Sequence, residues 1–532
     1  MNGPTSPRVA VVGAGLGGLA AAAALSGAGY RVTICEKNPR PGGKLNLLEI
    51  GGYSFDMGPS ILTLPHVFRE LFGRCGRRLE DYLAFVPVTP HWRNFFEDGT
   101  VFDLTPDREE TARQLARIGP GLDEAFGRFL EYSKDQYDAV DETYFKTAAD
   151  NLWEMVRRSS VRRVLDLDFT KTMDRAVRRL LAEPHLRDIM DFFIKYVGSS
   201  ALRAPGFMNM LPNVQYEFGL WYVKGGMYSL ARALERLLRE FETDIRYEAK
   251  VVRIPIEEGR AAGVILADGT RIETDYVVSN MEVIPACREL LPRDERLLRR
   301  FGRTFPPACS GLVIHLGTDR VFPRLAHHNF FVSRNQREHF KSVFVEHKIP
   351  ADPTLYVVAP SRTDPSVCPE RCDNIKILPH IPALNGKTDP AESDYAALKE
   401  RVLDKLERMG MEGLRESTVV EHVWTPEDIH ENYLSNGGSI YGVVTDIGRN
   451  FGFKAPKVSR RYPNLFFVGG SVNPGAGMPM VIMSGLRAAD SVIGSGTHGS
   501  SLRATRRPCR GRRRPEGTEA KRPAGGETHE SA

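Results

Sequence analysis

Glycines near the start of the chain have the type and spacing needed to hold a phosphate group. Residues 13–18 read GAGLGG, which gives the pattern G-x-G-x-x-G at Gly13, Gly15 and Gly18, with Gly17 inside it. In such a turn the first glycine permits a tight bend, the second lets a pyrophosphate approach the backbone, and the third lets the next helix pack closely. Glu36 follows Gly18 by eighteen residues, where a carboxylate can accept hydrogen bonds from ribose hydroxyls. These residues predict a dinucleotide-binding site.

The segments around the glycines have the order of a strand–turn–helix–strand unit. Residues 8–12 are an apolar run typical of a buried strand, residues 19–25 are alanine-rich and predict a helix, and residues 30–35 predict a second strand. The helix N-terminus behind the turn stabilises phosphate charge. An acid at position 36 suits a free ribose and repels a 2′-phosphate, which favours FAD or NAD over NADP.

Residues 9–28 also form a stretch of twenty residues without a charge. Such a stretch is compatible with a signal peptide or a membrane-spanning helix. Five of the twenty residues are glycine, however, and four of them cluster between positions 13 and 18. The strand–turn–helix interpretation explains this clustering, so we predict no membrane anchor here.

A second glycine-rich loop near the end of the chain repeats the arrangement. Residues 464–470 predict a buried strand, and the loop that follows leads into a predicted helix at residues 482–493. A strand, a glycine loop and a helix again offer backbone N–H groups to an anion or a ring system. The candidate cofactor contacts in this part of the chain are Gly469, Gly470, Met480 and Val481. With the N-terminal turn, they indicate one FAD-binding domain built from both ends of the chain.

Two shorter segments follow the predicted ribose-binding acid. Gly43 and Lys44 belong to a turn in which glycines and a cation can form a second loop over the cofactor. Residues 51–60 predict a hairpin that leads into a Gly-Pro turn. This turn ends in Gly58, Pro59 and Ser60.

On these motifs the chain resembles bacterial phytoene desaturases and the related carotenoid desaturases and oxidases, in the FAD-dependent amine-oxidase-like superfamily. Residues 56–60 match the D-x-G-P-[ST] segment that lies near the flavin in the family, and residues 468–479 match V-G-A-x-x-H-P-G-x-G-[IMT]-P with two departures. Residues 225–280 contain the family's Gly-Gly-Met helix start and its D-x-V-[VI]-S-N strand. The resemblance extends from residue 8 to about 495. It implies non-covalently bound FAD, with Val251 on a strand that contacts adenine.

The resemblance also implies an activity. We expect an FAD-dependent desaturase of a long apolar carotenoid precursor, such as phytoene or its C30 analogue. Family members often carry histidine where this chain has Asn473, and residues 328–331, 469–471 and 479–481 are similar to C30-carotenoid oxidase and late-desaturase branches. A carotenoid terminal-methyl oxidase, or a late-pathway desaturase or isomerase, is therefore an alternative.

A function of another class stays open as well. Rab escort and dissociation-inhibitor proteins resemble this fold, so a non-enzymatic prenyl-lipid carrier is a second alternative. The complete glycine pattern, Glu36 and the C-terminal glycine loop favour the enzyme. No histidine or carboxylate stands out as a catalytic base, so we assign no catalytic residue, and no cysteine or histidine cluster predicts a metal site.

The predicted fold class is α/β. We expect a Rossmann-type FAD-binding domain assembled from the discontinuous segments 1–84, 225–285 and 411–496, with an inserted α+β substrate domain formed by residues 85–224 and 286–410. Residues 190–197 and 207–222 are rich in aromatics and methionine. We interpret them as ordinary core, with a tunnel wall and a membrane-facing apolar patch as the alternative.

The net charge of +5 comes from the end of the chain. Residues 497–532 contain nine basic and four acidic residues, so their difference equals the whole excess and the remainder is neutral. This location argues against a nucleic-acid partner, and the polar composition predicts a disordered tail.

The seven cysteines are scattered, as in a cytoplasmic protein with reduced thiols. Because an apolar polyene partitions into bilayers, we expect peripheral attachment to a membrane surface; the sequence leaves the oligomeric state open.

Overall fold

The computed structural model describes residues 6–496, and the predicted basic tail at 497–532 lies outside them. The strands, in chain order, are β1 (Arg8–Val12), β2 (Arg31–Cys35), β3 (Leu47–Ile50), β4 (Tyr53–Asp56), β5 (Phe85–Pro87), β6 (Trp92–Phe95), β7 (Val101–Leu104), β8 (Trp221–Val223), β9 (Asp244–Arg246), β10 (Val251–Arg253), β11 (Ile256–Glu257), β12 (Arg260–Ala261), β13 (Gly263–Leu266), β14 (Arg271–Glu273), β15 (Tyr276–Ser279), β16 (Ser310–Gly311), β17 (Val313–Thr318), β18 (His328–Phe331), β19 (Leu355–Val358), β20 (Asp373–Ile381), β21 (Thr418–Trp424) and β22 (Leu465–Phe467).

The α-helices are α1 (Leu16–Gly27), α2 (Pro65–Arg74), α3 (Arg108–Ile118), α4 (Leu122–Val140), α5 (Leu152–Arg158), α6 (Val161–Asp166), α7 (Met173–Leu180), α8 (Pro184–Phe192), α9 (Met210–Phe218), α10 (Ser229–Glu240), α11 (Val283–Glu289), α12 (Glu295–Thr304), α13 (Gln336–Lys341), α14 (Glu392–Arg408), α15 (Leu414–Ser417), α16 (Pro426–Tyr433) and α17 (Met478–Gly496). Within residues 6–496, no helix combines the length and apolarity that crossing a bilayer requires.

A five-stranded parallel sheet brings distant parts of the chain together. Its strand order is β22-β15-β1-β2-β9, and every neighbouring pair is parallel. In β1, Val9 to Val12 are buried, as expected for a strand covered on both faces. The predicted α/β fold, with a Rossmann-type domain assembled from discontinuous segments, is confirmed.

The predicted elements of this sheet form close to where the sequence places them. The charge-free stretch after Arg8 forms β1, the glycine turn and α1, as the strand–turn–helix interpretation predicts. The helix begins at Leu16, three residues earlier than predicted, because Gly15 occupies the N-cap position directly after the turn. The C-terminal helix likewise begins at Met478, four residues before the predicted start.

A second, eight-stranded sheet lies beside the first. Its order is β21-β17-β20-β19-β18-β6-β7, with β16 paired to β20, and β18 and β6 are its parallel pair. On one face, Leu398, Val402 and Leu406 of α14 share a buried apolar cluster with Ile375 and Ile377 of β20. All of its strands except β21 lie in the ranges predicted for the substrate domain. The division of the chain into domains stays a prediction.

Helices α1 and α17 pack closely across the two ends of the chain, and Gly485 makes this approach possible. A Cβ atom at Gly485 would lie 2.5 Å from the carbonyl oxygen of Gly17 and 2.9 Å from the backbone nitrogen of Ala21. Backbone atoms of a packed helix cannot move aside easily. The contact fixes α17, and with it the glycine loop that precedes it, against the N-terminal turn.

We therefore expect Gly485→Ala to destabilise the protein by about 1–3 kcal/mol through overpacking. Gly494→Ala is the matched control, because a Cβ atom there meets nothing within 4 Å and the helix propensity of alanine exceeds that of glycine. Thermal unfolding followed by circular dichroism should show a lower midpoint for Gly485→Ala only. Equal midpoints for the two variants would contradict the close packing.

Candidate functional site

The N-terminal glycine turn is held in place by the carboxylate of Glu36. The backbone N–H of Ala14 donates to this carboxylate at 2.7 Å, and that of Asn38 donates at 2.8 Å. Gly13 adopts a φ of +92°, which side-chain-bearing residues rarely reach, and its N–H donates to the carbonyl of Cys35. Burial raises the pKa of Glu36, and the two backbone donors oppose the rise. The acid therefore shapes the turn in addition to lining the adjacent cavity.

Asn280, at the end of β15, lies between the two glycine loops. The N–H of Gly18 donates to its Oδ1 at 3.0 Å. A Cβ atom at Gly15 would lie 2.4 Å from Nδ2 of Asn280, and one at Gly17 would lie 2.7 Å from Oδ1 and 3.0 Å from the backbone nitrogen of Gly469. The glycines thus let Asn280 and the C-terminal loop pack directly against the turn, and Gly13, Gly15 and Gly17 also line the adjacent cavity, which fits a dinucleotide.

One cavity, of about 320 Å³, collects most of the residues that the sequence predicts. The predicted cofactor contacts that line this first cavity are Gly13, Gly15, Gly17, Glu36, Gly43, Lys44, Gly58, Pro59, Ser60, Val251, Gly469, Gly470 and Val481. Gly18 does not line it, because it packs against the turn: a Cβ atom there would lie 2.3 Å from the carbonyl oxygen of Gly13. Met480 lines a different cavity.

Lys44 lines the first cavity, but the protein itself occupies its amine. Nζ donates to Oε1 of Glu282 at 2.9 Å, to the carbonyl of Ser439 at 2.7 Å and to that of Ile440 at 3.2 Å. An ammonium group has three N–H donors, so these contacts use all of them. Lys44 therefore ties the glycine loop to the C-terminal part of the chain, and its charge is paired with Glu282.

Asp56, from the D-x-G-P-S segment, joins two of the family motifs. Its carboxylate accepts hydrogen bonds from the N–H groups of Met227 and Tyr228 at the start of α10, at 2.9 and 3.1 Å. Lys376 of β20 reaches the same segment, and its amine donates to the carbonyls of Asp56 and Gly58 and to the hydroxyl of Ser60. Burial lowers the pKa of Lys376 to about 8. Lys376 lines the first cavity next to the residues predicted to lie near the flavin.

A second cavity, of about 100 Å³, lies next to the first and shares part of its wall. The residues that line both cavities are Ile61, Tyr196, Ala476, Gly477 and Met478. Apolar and aromatic side chains make up most of its wall, including Phe207, Met208, Met210, Leu211 and Val214. The predicted aromatic and methionine-rich segments thus supply a cavity wall, while neighbours such as Phe193 and Ile194 are ordinary buried core. The segments therefore contain both the ordinary core that the sequence favours and side chains that line a cavity, as in the alternative interpretation.

Asn473, which replaces the family's usual histidine, takes part in a buried polar network. The hydroxyl of Tyr144 donates to its Oδ1, which also accepts from the N–H of Lys454 at 2.8 Å, and its Nδ2 donates to Asp150 at 3.0 Å. An amide side chain does not titrate. Asn473 therefore positions the loop and cannot exchange a proton with a substrate.

Sequence reasoning did not identify several polar residues that face the first cavity. They are Lys195, Tyr196, Tyr356, Lys376 and Tyr441. One signal was present: Lys195 and Lys376 each stand alone in an apolar run, FFIKYV and NIKIL, and lysine is rarely buried without a purpose. The tyrosines carried no such signal, because their position depends on which strands and turns meet.

Comparison with known proteins identifies the class. Residues 16–493 match the family model described as flavin containing amine oxidoreductase, and the chain belongs to that family. It is an FAD-dependent oxidoreductase. The residues that line the first cavity would hold the FAD, which when bound would supply two-electron oxidation as a hydride acceptor. The non-enzymatic carrier alternative is not supported.

Individual relatives narrow the class further. The chain is 51% identical to a 4,4'-diapolycopene oxygenase of Methylomonas sp., over 93% of this chain and 99% of the relative. It is 43% identical to a 4,4'-diaponeurosporene oxygenase of Staphylococcus aureus strain Mu50, over 91% and 98%. An oxidoreductase from Methanosarcina mazei shares the fold with a TM-score of 0.62, at 15% identity over 91% and 100% of the two chains. The chain is thus a member of a carotenoid-modifying branch of the family.

The ribose assignment of Glu36 is testable through flavin retention. Glu36→Arg places a cation where hydroxyl groups need an acceptor and removes the acceptor for the N–H of Ala14. We expect the purified variant to lose most of its FAD, measured from the flavin absorbance per mole of protein. Glu49→Arg, a change of the same kind at an exposed position of β3, is the control. Undiminished flavin in Glu36→Arg would rule out the ribose role.

Proposed function

We propose that this enzyme oxidises a terminal methyl group of an acyclic C30 carotenoid to the aldehyde. This was the alternative to phytoene desaturation in the sequence interpretation. The similarity to two oxygenases of C30 carotenoids, over more than nine-tenths of the chain, favours oxidation over desaturation. The observation that carries the proposal is the apolar second cavity, which shares the wall residues Tyr196 and Gly477 with the cofactor cavity.

Such a cavity matches a substrate without polar groups. A polyene gains affinity only from burying apolar surface, at about 25 cal/mol per Å² before the costs of association. A chain that enters along the second cavity brings its end to the shared residues, where it meets the cofactor cavity. The end of the chain is the part that a terminal-methyl oxidase must reach.

The residue that departs from the desaturases is consistent with a different reaction. Asn473 contributes no titratable group, and its hydrogen bonds are satisfied by Tyr144, Asp150 and Lys454. Buried amines instead face the cofactor cavity, on Lys195 and Lys376. When an alcohol at the end of the chain is oxidised, its hydroxyl proton must leave, and a neutral amine can accept that proton.

Product analysis tests the proposal. FAD-loaded enzyme is incubated with an acyclic, fully conjugated C30 carotene and, separately, with phytoene, and the products are resolved by mass spectrometry. We expect the C30 carotene to gain one oxygen and lose two hydrogens at a terminal methyl group, and phytoene to stay unchanged. Loss of hydrogen without gain of oxygen, from either substrate, would show a desaturase and contradict the proposal.

We also propose that the enzyme takes its substrate from a bilayer through a surface that we call the mouth patch. Within residues 6–496, six of the twelve exposed large apolar side chains belong to it: Leu152, Trp153, Val156, Val161, Leu165 and Phe451. Phe451 is 55% exposed and also lines the second cavity, so this residue connects the wall of the cavity with the protein surface. Met155 and Leu167, from the same segments as the patch, line the cavity from inside.

The charges around the mouth patch fit an anionic leaflet. Arg157 and Arg158 on α5 and Arg162 on α6 are exposed, and the guanidinium of Arg157 lies 4.9 Å from the ring centre of Trp153. Each cation near an anionic surface adds about 1 kcal/mol of attraction. Apolar side chains flanked by arginines are typical of surfaces that insert into the interfacial region of a membrane.

Vesicle binding tests the mouth patch. The double change Trp153→Asp and Leu165→Asp should weaken binding to phosphatidylglycerol vesicles at least tenfold in a flotation assay, while FAD content stays the same. Val101→Asp with Val345→Asp, exposed apolar residues outside the patch, is the matched control. Carbonate or high salt should release the wild-type protein from membranes. Equal binding of both double variants, or release by detergent alone, would contradict the proposal.

A further inference from the structure

Lys195 lies in an aromatic cage beside the cofactor cavity. It follows α8 in a short 3-10 turn, Phe193–Val197, and its side chain is buried. Its Nζ is 3.9 Å from the ring centre of Tyr356 and 4.5 Å from that of Phe330. Trp92 and Tyr196 complete the cage at 4.9 and 5.0 Å. Lys195 itself lines the first cavity, so its amine borders the space where chemistry takes place.

The amine of Lys195 differs from the other buried amines. Lys376, Lys405, Lys454 and Lys457 each donate to two or more oxygen atoms of the protein. Among residues 6–496, by contrast, no acceptor lies within hydrogen-bond distance of Nζ of Lys195, and no carboxylate forms an ion pair with it. A buried polar group without a partner is costly, so its retention points to a partner that arrives with the cavity's contents.

The surroundings of Lys195 determine its protonation state. Burial lowers the pKa of Lys195 well below its ordinary value, and the nearby amine of Lys376 lowers it further. The other titratable groups that face it are His328 and His380, whose own pKa values burial also lowers, and the tyrosines of the cage. A neutral amine has a lone pair that accepts a proton. The ring faces then stabilise the ammonium that forms.

The two cavities bring a chain end to this amine. Tyr196, the next residue, lines both cavities, and the second cavity is the proposed path of the polyene. Terminal-methyl oxidation to an aldehyde passes through an allylic alcohol, which forms when the methyl group gives up a hydride, for which FAD would be the acceptor, and gains the oxygen atom of water with loss of a proton. Oxidation of that alcohol removes a hydride from carbon and a proton from oxygen, so it requires a base within reach of the hydroxyl.

We propose that Lys195 is the catalytic base that takes the hydroxyl proton of the allylic alcohol; this inference rests on the function proposed above. The O–H bond breaks and its proton goes to Nζ, while the C–H bond breaks and its electron pair leaves with the hydride, for which bound oxidised FAD would be the acceptor. The carbon–oxygen double bond of the aldehyde forms from the electrons of the O–H bond. The alcohol is oxidised by two electrons, and FAD is reduced by two.

Three variants test the role in catalysis. Lys195→Met removes the base and keeps the apolar stem, Lys195→Arg keeps a donor that stays protonated, and Lys341→Met is a control at an exposed lysine. The substrate is a C30 polyene with a terminal allylic alcohol, and the readout is FAD reduction without oxygen. We expect both Lys195 variants to be about 10²- to 10⁴-fold slower than wild type, the range that general bases contribute. The wild-type rate should also fall as the pH drops below the lowered pKa of Lys195, because the ammonium cannot accept a proton.

A binding measurement separates catalysis from structure. Each protein is titrated with the corresponding polyene aldehyde, whose absorption moves to longer wavelength when its carbonyl accepts a hydrogen bond. We expect the shift with wild type and Lys195→Arg, and no shift with Lys195→Met at saturating aldehyde. Flavin absorbance shows whether each variant is folded. If Lys195→Met loses its FAD, the rate of alcohol oxidation by Lys195→Arg is the test of the base.

The outcomes distinguish the two proposals. Alcohol oxidation at the wild-type rate in Lys195→Met or Lys195→Arg would overturn the role of Lys195, even if the enzyme makes aldehydes. Wild-type enzyme that oxidises neither carotene nor alcohol would overturn the proposed function. In that case a spectral shift that depends on Lys195 would still support an oxygen-binding site at this amine, and its absence would overturn the site as well.

Discussion

The side chain of Asn280 is the point at which three distant parts of the chain meet. Its Oδ1 accepts the N–H of Gly18 from the N-terminal turn, while the first residue of the C-terminal glycine loop, Gly469, lies against Gly17. Neither contact has room for a Cβ atom. The cofactor cavity exists only because the parallel sheet places β1, β15 and β22 side by side, so that their carboxyl ends and the glycines that follow them converge.

The meeting of these strand ends also brings several lysine amines to the wall of the cofactor cavity. Lys44 and Lys376 each place an amine among protein oxygens, so they hold loops together at the cavity wall. The amine of Lys195 differs, because aromatic rings lie around it and, within residues 6–496, it forms no hydrogen bond to a protein oxygen. A buried polar group in a low-dielectric environment forms stronger hydrogen bonds and charge interactions than the same group in water. The cavity wall thus combines the amines of Lys44 and Lys376, which protein oxygens satisfy, with the caged amine of Lys195, which a ligand can meet.

Local sequence patterns predicted well the strands, turns and helices that carry the proposed cofactor contacts. The glycine turn, Glu36 and the C-terminal loop are contiguous motifs whose conformation depends on few neighbours, and they form the expected elements. Element ends were less accurate: α1 begins at Leu16, because Gly15 acts as its N-cap without a polar side chain to signal it. The family, the cofactor and the enzyme class followed from these motifs together.

The substrate half was harder to predict. Lys376 lies on a strand of the eight-stranded sheet, and its amine donates to the carbonyl of Gly58, more than 300 residues earlier in the chain. A local sequence pattern cannot predict a contact between residues so far apart. The motifs shared by desaturases and oxidases are cofactor motifs, so they favoured phytoene desaturation without testing the substrate. The local signals of a different reaction were Asn473 and the short segments 328–331, 469–471 and 479–481. The network of Asn473 with Tyr144 and Asp150 could be recognised only in three dimensions.

The central claim is that the apolar second cavity delivers one end of a polyene to the cofactor. A crystal structure of the enzyme with FAD and an acyclic C30 carotene tests it most directly. We predict that the polyene runs from Phe451 along the second cavity, with its terminal methyl group between Tyr196 and Lys195 and facing the flavin. A polyene that lies outside the second cavity, or that presents the middle of its chain to the flavin, would contradict the account.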